Sequence, residues 1–311
     1  RILLLLLRRE KLKILFTSLK DDKSMKRNII KYLSVLLFVS ATAFTQVEGQ
    51  WYSYGEMPLP VSGAASFVNH GNIYVMGGYS DSTQTNVNWI QKFLVTPNIW
   101  QLNAFMQNER YGLNVSTYKD TAYIWGGVQN NAIESKTLML WALDSTNTLV
   151  DTNLAFSKTF ASSEIVGDNI YIFGGNSFHD APYGNLPYIR VYHIPTKQII
   201  YESELTYPEN YFPEQQMTAL YGSDIYIFGG VYNGILNTIH KFNTITNELT
   251  ELETTLNTPR ANGRAIVYED QIFLIGGYNE ENKALASVEV FDIYGNYSSD
   301  VPSLNVARTN F

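Results

Sequence analysis

An all-β fold of the β-propeller class is predicted by three observations: five apolar strands that each stop at a pair of glycines, a near-constant distance between those pairs, and a short hairpin leading into each one. The strands are Ile73-Tyr-Val-Met-Gly-Gly78, Ala122-Tyr-Ile-Trp-Gly-Gly127, Ile170-Tyr-Ile-Phe-Gly-Gly175, Ile225-Tyr-Ile-Phe-Gly-Gly230 and Ile272-Phe-Leu-Ile-Gly-Gly277. Successive pairs stand 47 to 55 residues apart. Four β-favouring residues ended by two glycines read as a strand buried on both faces, after which the backbone turns at positive φ or passes close to a neighbour.

The preceding runs are Ala64–Val68, Leu113–Tyr118, Ala161–Val166, Met217–Tyr221 and Arg264–Tyr268, joined to the glycine strands by short turns such as Gly71-Asn72 and Gly167-Asp168. This makes a β-hairpin five times over. A polar loop follows each glycine pair, then a third run such as Ile239–Phe242 and a weaker fourth such as Glu248–Leu252. Four antiparallel strands in each unit of this length describe one propeller blade.

The N-terminal fifty residues are of another kind. Met25-Lys-Arg27 opens a basic stretch, Tyr32–Val39 is apolar, and Ala41 and Ala43 stand at the spacing a signal peptidase requires. This reads as a signal peptide starting at Met25 and cleaved near Ala43, which predicts a secreted or periplasmic protein. The apolar run is well short of the roughly 20 residues that span a bilayer, so no stable membrane insertion is expected after cleavage. Residues 1–24 read as upstream translation, residues 25–50 as signal peptide and leader, and residues 51–311 as the propeller.

A glycine pair after an apolar strand, an aromatic residue further on and a second aromatic position seven residues beyond that resemble the kelch repeat. The first aromatic position holds Phe93, Tyr192, Phe242 and Phe291, with Ala142 as the exception. The second keeps its tryptophan only at Trp100 and otherwise reads Leu149, Ile199, Leu249 and Ser298. The resemblance covers residues 51–311 and implies a divergent, exported kelch-type propeller. Trp51–Pro60 looks like the outer strand of a blade, and Val301–Phe311 like the exit from the fifth blade and the entry to another. A six-bladed ring closed by the first strand is therefore expected, with the natural C-terminus beyond Phe311.

The chain has 311 residues and a net charge of −7, which hides two regions: residues 1–50 hold 10 Lys+Arg and 4 Asp+Glu, residues 51–311 hold 12 and 25. An acidic body repels phosphate backbones, so nucleic acid is not an expected partner. There is no cysteine, so neither disulfides nor thiolate chemistry is available. That opposes the copper radical oxidases to which some exported kelch propellers belong. The four histidines are scattered and predict no metal site, and no cofactor is expected. His70 and His240 read as solvated.

Function is expected on the face that carries the loops after the glycine pairs. The position 16 residues before each first glycine holds Val61, Arg110, Lys158, Pro213 and Arg260, with Arg308 next in the series. This is either a basic ring at the channel mouth or a set of ties between blades. Arg110 and Arg260 are candidate ligand residues on the first reading. Arg264 has no basic counterpart at its own repeat position, which makes it the better ligand-binding candidate, and it is expected to line the channel. Loop aromatics suited to stacking are Tyr183, Tyr232 and Tyr278, with His179 beside them. Glu164 and Glu214 lie near inner strands, and Glu214 with Arg264 is a weak acid–base pair. Two functions follow. One is a non-enzymatic recognition module for a protein or glycan ligand. The other, by resemblance to exported sialic acid mutarotase propellers, is a sugar-processing enzyme.

Overall fold

The computed structural model describes Trp51 and residues 55–130, 138–142, 148–151, 158–176, 185–208 and 213–310. The expected upstream segment and signal peptide, and the loop residues His179 and Tyr183, lie outside the described residues. Five four-stranded antiparallel sheets are present. Their inner strands are Ala65–Asn69, Tyr111–Tyr118, Ser162–Val166, Met217–Tyr221 and Arg264–Tyr268. The glycine-pair strands come second: Asn72–Met76, Thr121–Val128, Asn169–Phe173, Asp224–Phe228 and Gln271–Ile275. Third strands run Trp89–Leu94, Leu138–Ala142, Ile189–His193, Ile239–Asn243 and Val288–Asp292, and outer strands Ile99–Phe105, Thr148–Asp151, Gln198–Glu202, Glu248–Glu251 and Tyr297–Val301. Each sheet is one blade. Five complete blades are among the described residues; of the sixth, the sequence predicts only the start within this chain.

The hairpins form as their turn residues dictate. His70 and Gly71 both take positive φ, +46° and +71°, and join Asn69 to its register partner Asn72. Two consecutive positive φ values give a primed turn whose twist matches the strands it connects.

The core lies between blades. One cluster joins Tyr74, Met76 and Ile90 of the first blade to Leu113 and Ile124 of the second. A second joins Trp125 to Ile170, Ile172 and Tyr192. A third joins Phe173 and Val191 to Ile225, Ile227 and Phe242. The fourth joins Phe228 and Ile239 to Ile272, Leu274 and Phe291. At Tyr192, Phe242 and Phe291 the aromatic of the first kelch position is thus the wedge between its blade and the one before; the Phe242 ring meets Phe173 at 5.8 Å and Tyr171 at 5.9 Å.

The glycine pairs make the blades dock. Gly229 takes φ +55°, and a Cβ there would stand 2.2 Å from the carbonyl oxygen of Arg260 in the next blade. Gly230 N–H donates to that same carbonyl at 2.9 Å, and the second glycines of the other four pairs donate to Arg110, Lys158, Pro213 and Arg308 in the same way. A side chain at the first position would push the blades apart.

Among the described residues no apolar cluster joins the first and fifth blades. Their facing strands leave Val68, Ile266 and Tyr268 exposed at 64%, 52% and 65%. Correspondingly, every second residue of Asn72–Met76 and Gln271–Ile275 is only half buried, whereas Ile-Tyr-Ile-Phe of the third and fourth blades is buried throughout. Trp51 lies against the chain after the fifth blade: its indole N–H donates to the Pro302 carbonyl at 3.0 Å, and the Asn305 amide donates to the Trp51 carbonyl. Among the described residues no helix is long and apolar enough to cross a membrane.

Candidate functional site

The five inner strands surround a channel of about 250 Å³. At one end it is closed in by a ring of backbone hydrogen bonds. Gly112 N–H donates to Gly63 C=O, Phe160 to Gly112, Gln215 to Phe160, Asn262 to Gln215, Asn310 to Asn262, and Gly63 to Asn310, at 2.8–3.2 Å. Six residues complete the circle. All six take left-handed backbone angles, φ +55° to +66°. That conformation is easy for glycine and tolerated by asparagine, but strained for Phe160 and Gln215. The ring returns a hydrogen bond to each N–H and C=O, which holds those two residues in place.

The residue before each ring member is fixed by a second set of bonds. Thr159 pairs with Asn176, Glu214 with Val231, and Ala261 with Tyr278, as isolated antiparallel bridges to the residue after the glycine pair. Tyr111 pairs with Val128 in the same register. Side chains of these two rows line the mouth above the ring. The Tyr111 ring lies over Gly63, where a Cβ would meet it at 2.3 Å, and the Phe160 ring lies over Gly112, where a Cβ would meet it at 3.1 Å. Each glycine thus makes room for the next repeat's aromatic ring, and the two rings meet edge to face at 5.2 Å.

Two adjoining hollows of about 490 and 300 Å³ share Tyr111, Phe160 and Gln215 as walls. Glu214, Thr159 and Asn176 line the first; Tyr278, Asn262 and Asn310 line the second. The Tyr278 hydroxyl donates to Gln215 Oε1 at 2.8 Å, and Gln215 Nε2 donates to Glu214 Oε1 at 3.4 Å. Burial raises the Glu214 carboxyl above its usual range, with the Gln215 hydrogen bond opposing it. Tyr111 and Tyr278 are raised by burial first and by the Glu214 charge second. Aromatic faces, amides and one carboxylate in hollows of this size can hold a side chain or a small polar group.

The structure sorts the residues expected from sequence. Tyr278 and Glu214 stand in the mouth. Tyr232 sits in a tight turn, its N–H donating to Gly234 C=O, and is not part of that lining. Arg264 lines the channel as expected, donating to Gly263 C=O at 3.1 Å and to Ala64 C=O at 3.4 Å; burial lowers it to about 10. Glu214 does not line that channel; it lines a different cavity, the first of the two hollows. Glu164 also lines the channel, pushed up to about 7 by burial against a Thr218 hydrogen bond.

Arg110 and Arg260 are corrections. Both are 0% exposed. Arg110 reaches its own blade's Gly126 carbonyl, and Arg260 reaches Gly276 C=O, Ser287 and, at 3.2 Å, Glu289. Their backbone C=O groups serve the preceding blade, so they act as ties between blades and present nothing to a ligand. His240 is a smaller correction. It is half buried against Glu251 rather than solvated, and burial lowers it. Among the described residues no group of three His, Asp or Glu could hold a metal.

Tyr111, Phe160, Gln215 and Asn262 were not among the residues singled out from sequence. The available signal is their repeat position, 15 or 14 residues before each first glycine. The basic position chosen there is one residue too early, and its side chain enters the blade instead of the mouth.

Comparison with known proteins bears on residues and on length. A family model for the Kelch motif matches residues 259–305, the span of the fifth blade. Spermatocyte protein spe-26 of Caenorhabditis elegans is 30% identical over 155 residues, 47% of this chain and 25% of that protein. The chain therefore spans about a quarter of the length of the curated relative it matches.

Proposed function

The chain belongs to the kelch-repeat family, and on that premise we propose that it is a non-enzymatic recognition module, exported from the cytoplasm, that takes a protein ligand at the mouth above the hydrogen-bonded ring. Kelch propellers in general mediate protein interactions. The observation that carries the proposal here is the mouth itself: three aromatic rings and a half-buried carboxylate, held by strained backbone on a rigid scaffold. Strain at Phe160 and Gln215 points to a site, because such conformations persist where the surroundings enforce them. Export rests on the Met25–Ala43 segment.

The same ring supports a six-bladed reading of the propeller. Six residues close it, Asn310 holding the sixth place, and the facing sides of the first and fifth blades leave apolar side chains exposed where other neighbours pack. The sugar-processing reading draws no support from the geometry, since Glu214 is the only carboxylate lining the mouth among the described residues and Arg264 lies in the channel.

Random peptides displayed on phage and selected on the full chain test the reading. Selected peptides are expected to lose affinity for Phe160→Ala and Tyr278→Ala, both checked for native circular dichroism. Peptides that bind these variants as well as the parent, or a selection that yields no binder, would overturn it.

A further inference from the structure

We propose that the mouth is a receptor for a cationic side chain, so that the partner inserts a lysine or arginine between Tyr111, Phe160 and Tyr278 and against Glu214. This rests on the recognition reading and names the chemistry it uses.

The first argument is the unmatched carboxylate. Gln215 is the only hydrogen-bond partner of the Glu214 carboxylate among the described residues, through a single 3.4 Å contact to Oε1. No lysine, arginine or histidine among the described residues lines either hollow. A half-buried carboxylate is costly without a counter-charge, and its raised proton affinity has burial as the leading cause. A ligand cation placed there supplies the counter-charge.

The second argument is the company it keeps. Among the described residues, the titratable groups facing Glu214 are Tyr111, from the second blade's inner strand, and Tyr278, from the loop after the fifth glycine pair. Both stay neutral where the carboxyl ionises. An aromatic face attracts a cation through its ring quadrupole, and more strongly when the pair is partly desolvated. The Tyr111 and Phe160 rings stand at 85° to each other, so they form two sides of a corner rather than a flat stack. The carboxylate closes a third side. The Gln215 amide, held at its oxygen by the Tyr278 hydroxyl, donates to that carboxylate at 3.4 Å.

The third argument is exclusion. An anionic ligand would meet Glu214 with no cation to hold it, within a region that carries 12 Lys+Arg against 25 Asp+Glu. A neutral sugar could stack on the rings, but it would leave the carboxylate without its counter-charge.

The test uses the peptides selected on the full chain. Those whose binding depends on Tyr278 are expected to contain lysine or arginine. Replacing that lysine by norleucine, or the arginine by citrulline, is expected to weaken binding to the parent protein at least about tenfold. On Glu214→Gln the charged and uncharged peptides are expected to bind alike. Affinity of the charged peptide is expected to fall as pH drops and the Glu214 carboxyl takes up its proton. Mouth-dependent peptides without a basic residue, equal affinity of the norleucine peptide, or a charge preference that survives Glu214→Gln would each overturn the proposal. The recognition reading would stand in those cases, because it fails only if binding ignores Tyr278 and Phe160.

Discussion

Removing the counter-charge from Arg260 gives the most quantitative check on how the blades are joined. The Arg260 and Glu289 side chains are 0% exposed and 3.2 Å apart. Arg260 also donates to Gly276 C=O at 3.0 Å, Ser287 C=O at 3.2 Å and Ser287 Oγ at 3.1 Å. Glu289 accepts from the backbone N–H groups of Asn257 at 2.6 Å and Thr258 at 3.4 Å, and from Ser298 Oγ. It therefore holds both the arginine and the link that enters the fifth blade. Burial lowers the Arg260 pKa and Glu289 opposes that shift. Glu289→Ala leaves a cation in the interior without its partner, a change that costs about 3–5 kcal/mol in buried pairs. For a domain of this size that is a fall of about 10 °C in Tm. Urea denaturation and thermal unfolding followed by circular dichroism read the loss. Arg260→Met combined with Glu289→Leu is expected to recover most of it, since an apolar pair needs no charge balance. A loss below about 1 kcal/mol, the size found for exposed pairs, would show that the arginine is solvated and open to a ligand, and would refute the tie.

Other expectations follow from the same geometry. Gly229→Ala meets the Arg260 carbonyl at 2.2 Å and is expected to cost several kcal/mol, about 3 or more, by denaturant unfolding. Gly71→Ala, also at positive φ but with nothing within 4 Å, should cost only about 1 kcal/mol. Phe242→Ala empties the wedge between the third and fourth blades and is expected to cost about 3–5 kcal/mol by the same measurement. Glu164 binds its proton more tightly in the folded protein, near 7 against an ordinary 4.5, so its contribution to stability falls as pH rises between those values. The whole effect is at most about 3 kcal/mol. Glu164→Gln is expected to gain on the parent across that range and to keep the gain above pH 7; a gain that shrinks with rising pH would contradict the assignment.

The fold was legible because its determinants are local and repeated. A glycine pair after four apolar residues states both the strand and the close approach that follows it, and Phe93, Tyr192, Phe242 and Phe291 mark the third strands. The mouth was legible only in part. Nothing in the letters Phe160 and Gln215 announces a left-handed backbone, which is imposed by the hydrogen-bonded ring. The basic series at Arg110, Lys158 and Arg260 was visible, but its direction was not, because a shift of one residue turns a side chain from the mouth into the blade. Glu289, set inside the apolar run Val288-Glu-Val-Phe291, was the sign that Arg260 had an internal partner.

The central claim is that recognition takes place at the mouth, and the affinity of one selected peptide for the parent protein and for Tyr278→Ala tests it most directly. Tyr278 supplies one aromatic wall and, through its hydroxyl, fixes Gln215. The account predicts that the variant keeps its Tm within a few degrees and binds at least about tenfold more weakly. A variant that folds as the parent does and binds with unchanged affinity would contradict it.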